Sequence, residues 1–189
     1  MHLVDVERPD VVIVDLAPPT EKGFGLLQQI RQLSAVPVIV LTVEGDESDM
    51  AKALECGADD YLIKPFRPLD LLARLKVHIR KRAPAEGGAG ISFGPFRLDQ
   101  SALRLQYGDK EISLTAVEAK LLRELMKDAG HVVPYSRLAK AVWGEDYTGA
   151  LETLRVHVHG LRHKLEEDPA NPRIVSTKAG VGYSLAIPE

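Results

Sequence analysis

Three polar residues close three apolar runs in the first half of the chain. Asp15 stands at the end of VVIVDL (11–16), Thr42 ends VPVIVLT (36–42), and Lys64 ends DYLIK (60–64), directly before Pro65. A carboxylate, a hydroxyl and an ammonium converging on one edge of a sheet suit the covalent phosphorylation of the carboxylate. The lysine would neutralise phosphoryl charge, and the threonine hydroxyl would hydrogen-bond a phosphoryl oxygen and so report occupancy. A second chemistry is carried by LETLRVHVHGLRHKLEE (151–167). There Leu151, Leu154, Val158, Leu161 and Leu165 follow 3/4 spacing and are expected to form a core stripe. Opposite lie Glu152, Val156, His159, Gly160 and His163, with Arg155, Arg162 and Lys164 on the flanks. A helix with a mixed, cationic outer face, followed by a β-hairpin, suits DNA: helix in the major groove, hairpin against the backbone. His159 and His163 stand at metal-ligand spacing, but no cysteine or further histidine completes a set.

These residues need elements to position them. VVIVDL and VPVIVLT read as strands buried on both faces, and DYLIK as a shorter one. Between them lie GFGLLQQIRQL, with Phe24, Leu27, Ile30 and Leu33 on one face, and SDMAKALEC, closed by Gly57 beyond its C-terminus. The helix PLDLLARLKVHIRKR follows, with Leu72, Leu75 and Ile79 on one stripe. Alternating strands and helices predict right-handed βαβ units and a parallel sheet, with ligand chemistry beyond the carboxyl ends of the strands. In the second half, residues 91–113 hold short runs broken at Gly-Pro and Gly-Asp, which predicts a small antiparallel sheet. Thr115 and Glu118 form a capping box for a helix with Leu121, Leu122 and Leu125 on its apolar face and Gly130 past its end. A short helix starts at Ser136 and runs through Leu138 and Val142; two strands around a Lys-Ala-Gly turn close the chain. The stretch RKRAPAEGGAG (80–90) reads as a linker.

Composition narrows the class. The 189 residues are 45% hydrophobic and 27% charged, enough for a real core. No apolar run approaches the roughly 20 residues needed to span a bilayer, and the first ten residues do not read as a signal peptide. The single cysteine, Cys56, forbids an internal disulfide framework and fits a reducing cytoplasm. Net charge is −3: residues 1–90 carry 11 basic and 14 acidic side chains, residues 91–189 carry 13 of each. DNA binding must therefore rest on a local patch.

The first half resembles the receiver domain of bacterial two-component response regulators, on DLAPPTEKG (15–23), the strand ending in Thr42, and GADDYLIKPF (57–66). The resemblance implies that Asp15 is the phosphoacceptor, Thr42 the switch hydroxyl, Tyr61 the switch aromatic and Lys64 the phosphate-pairing lysine, with a cis Lys64–Pro65 bond. The second half resembles the winged-helix effector domain of the OmpR/PhoB-type regulators. It does so on LTAVE (114–118), AVWG (141–144), VHVHGLRHKL (156–165), DPANP (168–172) and GVGY (180–183). By that likeness Thr153, Val156, His157, His159 and Arg162 fall where the family touches bases or phosphates. Val156 would meet a thymine methyl, and Lys178 would serve the wing. Trp143 is expected in the core, and the loop after it to face RNA polymerase. The family dimerises through charged pairs of the receiver, for which Lys52, Asp59, Asp60, Asp70 and Arg74 are the candidates.

The expected fold is thus an α/β, flavodoxin-like parallel-sheet receiver, truncated at its N-terminus, followed by an α+β winged helix-turn-helix domain. The expected boundaries are 1–82 for the partial receiver, 83–90 for the linker and 91–189 for the DNA-binding domain. Departures from the pattern carry expectations of their own. Val43 replaces a very small residue and could crowd the phosphate pocket. The 14 residues before Asp15 resemble the end of the family's second helix, so its first strand and the following acidic pair are not matched. That leaves Asp15 and the Ala17 carbonyl as Mg2+ ligands, an incomplete site, in either a fragment or a regulator that no longer needs phosphate. Glu152, Gly160 and Ala179 stand where the family has arginine, which predicts a shallow salt dependence. An aspartyl phosphohydrolase would need a second carboxylate at Ala17, so the chain is not expected to be an enzyme. The expected function is a cytoplasmic transcriptional response regulator. It would bind repeat DNA as a homodimer and act on RNA polymerase, with a sensor histidine kinase as phosphoryl source and no membrane partner. The alternative is an orphan transcription factor whose receiver serves only dimerisation or protein binding.

Overall fold

The computed structural model describes residues 4, 7, 9–43, 47–80, 90–144 and 150–187. The chain divides into two compact units, Met1–Pro84 and Ala85–Glu189. Most of the stretch read as a linker (81–89) lies outside the described residues, as does the stretch 145–149, expected to face polymerase.

The first unit alternates strand and helix: β1 (Val12–Asp15), α1 (Glu21–Leu33), β2 (Val38–Thr42), α2 (Glu47–Glu55), β3 (Asp60–Ile63) and α3 (Pro68–Arg80). The strands are parallel in the order β1-β2-β3, with Val14 opposite Val40 and Val40 opposite Tyr61. The middle strand is buried as expected, with Val38, Ile39 and Val40 at 2% exposure or less. Strand β1 is not: Val14 is inside, whereas Ile13 is 43% exposed, so the four aliphatics alternate instead of burying both faces. Helix α1 is capped by Thr20, whose hydroxyl accepts the Gly23 amide, and buries Phe24, Leu27 and Ile30. Leu33, expected on the same face, is exposed beyond that cluster. Gly57 closes α2 at φ +109°, and a Cβ there would meet the Arg31 Cγ at 2.3 Å, so only glycine fits.

Helix α3 departs most from its sequence reading. Leu72 and Ile79 are exposed, and the buried side carries Arg74 and His78 instead. Both reach Asp60, which is fully buried: Arg74 pairs with Oδ1, and His78 Nε2 lies 3.3 Å from Oδ2. The neighbouring Asp59, also fully buried, accepts the Val38 amide at 2.9 Å and pairs with Arg31. The docking of α3 is therefore polar, because charged groups can be buried when paired and hydrogen-bonded. The Lys64–Pro65 bond is cis, as is Ala17–Pro18.

The second unit opens with an antiparallel meander: β4 (Ile91–Phe93), β5 (Phe96–Asp99), β6 (Arg104–Tyr107) and β7 (Lys110–Ser113). There follow α4 (Ala116–Lys127), β8 (Val132–Pro134), α5 (Tyr135–Trp143), α6 (Ala150–Leu165), β9 (Val175–Lys178) and β10 (Gly182–Leu185). The capping box of α4 forms as predicted, with Thr115 and Glu118 bonding each other's backbone amides. Helix α5 begins one residue before Ser136. Strand β8 was not foreseen; it pairs with β10 in a sheet ordered β8-β10-β9. A Cβ on Gly182 would sit 1.9 Å from the Val133 carbonyl, so that pairing requires glycine. Helix α6 packs against both α4 and α5, burying Leu154, Val158, Leu161 and Leu165. Leu151, at its first turn, is 45% exposed and lies outside that core. Trp143 is buried, as expected.

Candidate functional site

Parallel pairing sets the ends of β1, β2 and the segment after β3 side by side, and this edge collects the three residues singled out for phosphoryl chemistry. The Lys64 ammonium lies 2.5 Å from Asp15 Oδ2. Both side chains remain open, at 31% and 55% exposure, so the pair stabilises the fold by only about 0–1 kcal/mol. Its effect is positional: a cation is held directly beside the Asp15 carboxylate. Thr42 is buried at 4% exposure, and the Lys64 amide donates to its carbonyl at 2.7 Å. Thr42 and Tyr61 line one small pocket together with Leu16, Phe24, Met50 and Ala53. Val43 is about half exposed and is not among the residues lining that pocket.

The second constellation lies on α6 and the β9–β10 hairpin. Arg155, His159 and His163 are exposed, Val156 is half-buried, and Lys178 stands exposed at the end of β9. Several expected contact residues are elsewhere. Thr153 and His157 are 1% and 2% exposed, and the His157 ring lies 6.0 Å from that of Trp143. They face the protein because α6 is packed on two sides, which widens the buried arc beyond the leucine stripe. Gly160 is also buried, with the Glu118 carboxylate 3.0 Å from where its Cβ would stand. Lys164 donates to Glu118 Oε2 at 2.6 Å. Arg162 is half-buried; it donates to the Val175 carbonyl at 2.9 Å and to Thr177 Oγ1 at 2.7 Å, and lies over the Tyr183 ring. Burial pushes the Tyr183 phenol above its ordinary pKa. Arg162 therefore ties the hairpin to the helix. Thr177 and Tyr183 were missed as its partners; the alternation of VSTK, which turns Thr177 to the same side as Val175, is the signal that could have found Thr177.

The proposed dimerisation set also divides. Asp59 and Asp60 are buried, and Arg74 is committed to Asp60. Their charges serve the interior of the unit and are not a surface patch. Lys52, paired with Glu21, and Asp70, paired with Arg67, remain at the surface. The Arg67 guanidinium holds the Asp70 carboxyl below the usual aspartate value.

Two family models match the chain: the response regulator receiver domain over residues 1–76, and the C-terminal domain of transcriptional regulatory proteins over residues 109–185. The KDP operon transcriptional regulatory protein KdpE of Escherichia coli is 41% identical over 181 residues, covering 95% of this chain and 80% of its own length. The chain belongs to the OmpR/PhoB-type response regulators. The DNA-binding response regulator MtrA of Mycolicibacterium smegmatis is 38% identical over 183 residues, 96% of this chain and 79% of that protein. A solved structure of a RitR mutant matches with a TM-score of 0.72 over 97% of this chain and 81% of its own, at 20% identity, a likeness of fold. The regulator thus consists of a parallel-sheet receiver and a winged-helix DNA-binding domain.

Receiver domains commonly bind Mg2+ for phosphorylation. Among the described residues of this regulator, the expected donors are the Asp15 carboxylate, already ion-paired with Lys64, and the Ala17 carbonyl. One carboxylate and one carbonyl fill only part of the octahedral coordination that Mg2+ demands, the rest of which falls to phosphate oxygens, water or further carboxylates. No helix among the described residues is long and apolar enough to cross a membrane.

Proposed function

We propose that this regulator binds repeated DNA sites as a dimer, acts on RNA polymerase from the cytoplasm, and takes a phosphoryl group on Asp15 from a sensor histidine kinase. The observation that carries the DNA reading is the row Arg155–Val156–His159 on α6 beside the Lys178 turn, joined by the Arg162 bonds to β9. In that reading Arg155 and Lys178 contact phosphates, Val156 meets a thymine methyl, and His159 reads a base edge. A duplex from the gene's own upstream region should show salt-sensitive footprint protection; its absence would refute the assignment.

The receiver reading rests on the Asp15–Lys64 pair and on Thr42 lining one pocket with Tyr61. An Asp15 oxygen attacks the phosphorus of the kinase's phosphohistidine, and the P–N bond breaks as the imidazole leaves. Lys64 pairs with the phosphoryl group, which carries about −1.5 to −2, and Thr42 turns its hydroxyl to a phosphoryl oxygen. The partial receiver is proposed to end near residue 82 and the DNA-binding domain to begin near residue 91. Lys52 and Asp70 are the proposed dimer contacts left at the receiver surface. The alternative is a regulator that works without phosphorylation, its receiver serving only for dimerisation or protein binding. Incubation with acetyl phosphate and Mg2+ followed by intact mass decides between them, since a phosphoryl adduct absent from D15N supports the first and no adduct supports the second.

A further inference from the structure

We propose that His159 and His163 form a two-imidazole site for a borderline divalent cation of the Zn2+, Ni2+ and Cu2+ class on the outward face of α6. The two residues are one helical turn apart, and both are exposed. Their ring centroids stand 4.2 Å apart and their ligating nitrogens come within 4.8 Å. Imidazole nitrogens that share such an ion each lie roughly 2.0–2.1 Å from it. Two histidines at i and i+4 on one helix face are a recognised zinc-binding arrangement.

One contact prepares the site. His163 Nδ1 lies 3.2 Å from the His159 carbonyl and donates its proton there. That bond fixes the tautomer and leaves Nε2 with its lone pair directed outward, the arrangement found behind metal-bound histidines. Imidazole selects zinc, nickel and copper over magnesium and calcium, which take oxygen. Two protein ligands leave the remaining positions to water.

The consequence rests on the DNA reading above. His159 belongs to the row proposed to face the major groove, so an ion with its waters would stand between α6 and a base edge. Metal and DNA would compete.

Isothermal titration of the untagged full chain with ZnCl2, and separately with NiCl2, in a non-coordinating buffer tests the site without DNA. One equivalent should bind to the unsubstituted protein. H159A and H163A should each weaken binding at least about tenfold, while H131A, which removes another exposed histidine, should not. Isotherms that superimpose across all four proteins would overturn the site. The competition is read by the anisotropy of a labelled duplex from the gene's upstream region. Saturating Zn2+ should raise the Kd of the unsubstituted protein severalfold and leave that of H163A unchanged. If zinc binding is lost in the variants yet zinc leaves the DNA affinity of the unsubstituted protein unchanged, the competition is overturned, and the fault lies in placing this face on DNA.

Discussion

Glu118→Ala tests how the second unit holds α6 in place. Glu118 is 3% exposed, and its Oε2 accepts the Thr115 amide at 2.7 Å and the Lys164 ammonium at 2.6 Å. The first is a hydrogen bond from a buried amide to a charged acceptor, the class that contributes about 1.5–3 kcal/mol. The second involves a lysine side chain 31% exposed, so solvent screening limits it to about 0.5–1 kcal/mol. Together the loss should be about 2–4 kcal/mol, a large share of a stability of about 5–15 kcal/mol. Glu118→Gln keeps the capping acceptor and should cost about 1 kcal/mol. The assay is urea unfolding followed by tryptophan emission, because Trp143 is the only tryptophan of the chain and is buried in the same unit. With a slope of about 1–2 kcal/mol per molar urea, the midpoint should fall by about 1–4 M for the alanine variant. A double-mutant cycle with Lys164→Met should return a coupling of about 0.5–1 kcal/mol. An alanine variant within about 0.5 kcal/mol of the parent, or a glutamine variant as unstable as alanine, would refute the argument.

Arg74→Ala should destabilise the receiver by about 3 kcal/mol, because it leaves the buried Asp60 carboxylate under-compensated. Asp70→Ala, at an exposed pair, should cost less than about 1 kcal/mol, and circular dichroism during urea unfolding compares the two. For DNA binding, Arg155→Ala should reduce the slope of log K against log salt by about 1, whereas Lys164→Ala should leave it nearly unchanged. Gly182→Ala should prevent β8–β10 pairing, seen as lost amide protection at Val133 and Tyr183 in hydrogen exchange. Hydrogen bonds from the Asn171 side chain and the Ala170 amide hold the Asp168 carboxyl below the ordinary aspartate value. This depressed group therefore favours the fold above its unfolded pKa, and that contribution is lost as pH falls through the folded value. In an NMR pH titration, Asn171→Ala should move the Asp168 midpoint upward.

What was legible in the sequence follows from which signals are local. The positions of the three receiver strands, the capping box at Thr115 and the turn at Gly57 depend on neighbours within a few positions, and the structure forms them where the sequence pattern places them. The convergence of Asp15, Thr42 and Lys64 was legible too, because parallel βαβ topology leaves one edge where three strand ends can meet. The failures are tertiary. Thr153 and His157 sit beside the leucine stripe of α6, and only the packing of α4 and α5 on either side decides that they are buried. Asp59 and Asp60 read as surface acids until Arg31, Arg74 and His78, each 14 to 28 positions away, are brought to them. Strand β8 is three residues ending in proline, too short for any period to declare it.

The same tertiary commitments reshape the electrostatics of the DNA face. Of the cations counted on α6, Lys164 is held by Glu118 and Arg162 by Val175 and Thr177, while Arg155 remains exposed beside the acidic Glu152. Gly160, where an arginine would add charge, faces inward against Glu118. Each phosphate neutralised contributes about −0.9 to the salt slope, so the contacts proposed for Arg155 and Lys178 would together give about −2 per subunit and about −4 for the proposed dimer. If the proposed contacts hold, discrimination comes from Val156 and His159 at base edges more than from bulk attraction. A measured dimer slope near −4 accords with the arrangement of α6. A slope near −7, two more phosphates per subunit at about −0.9 each, would mean that Lys164 and Arg162 leave their partners on binding, and that the bonds seen within the protein are exchanged for phosphates.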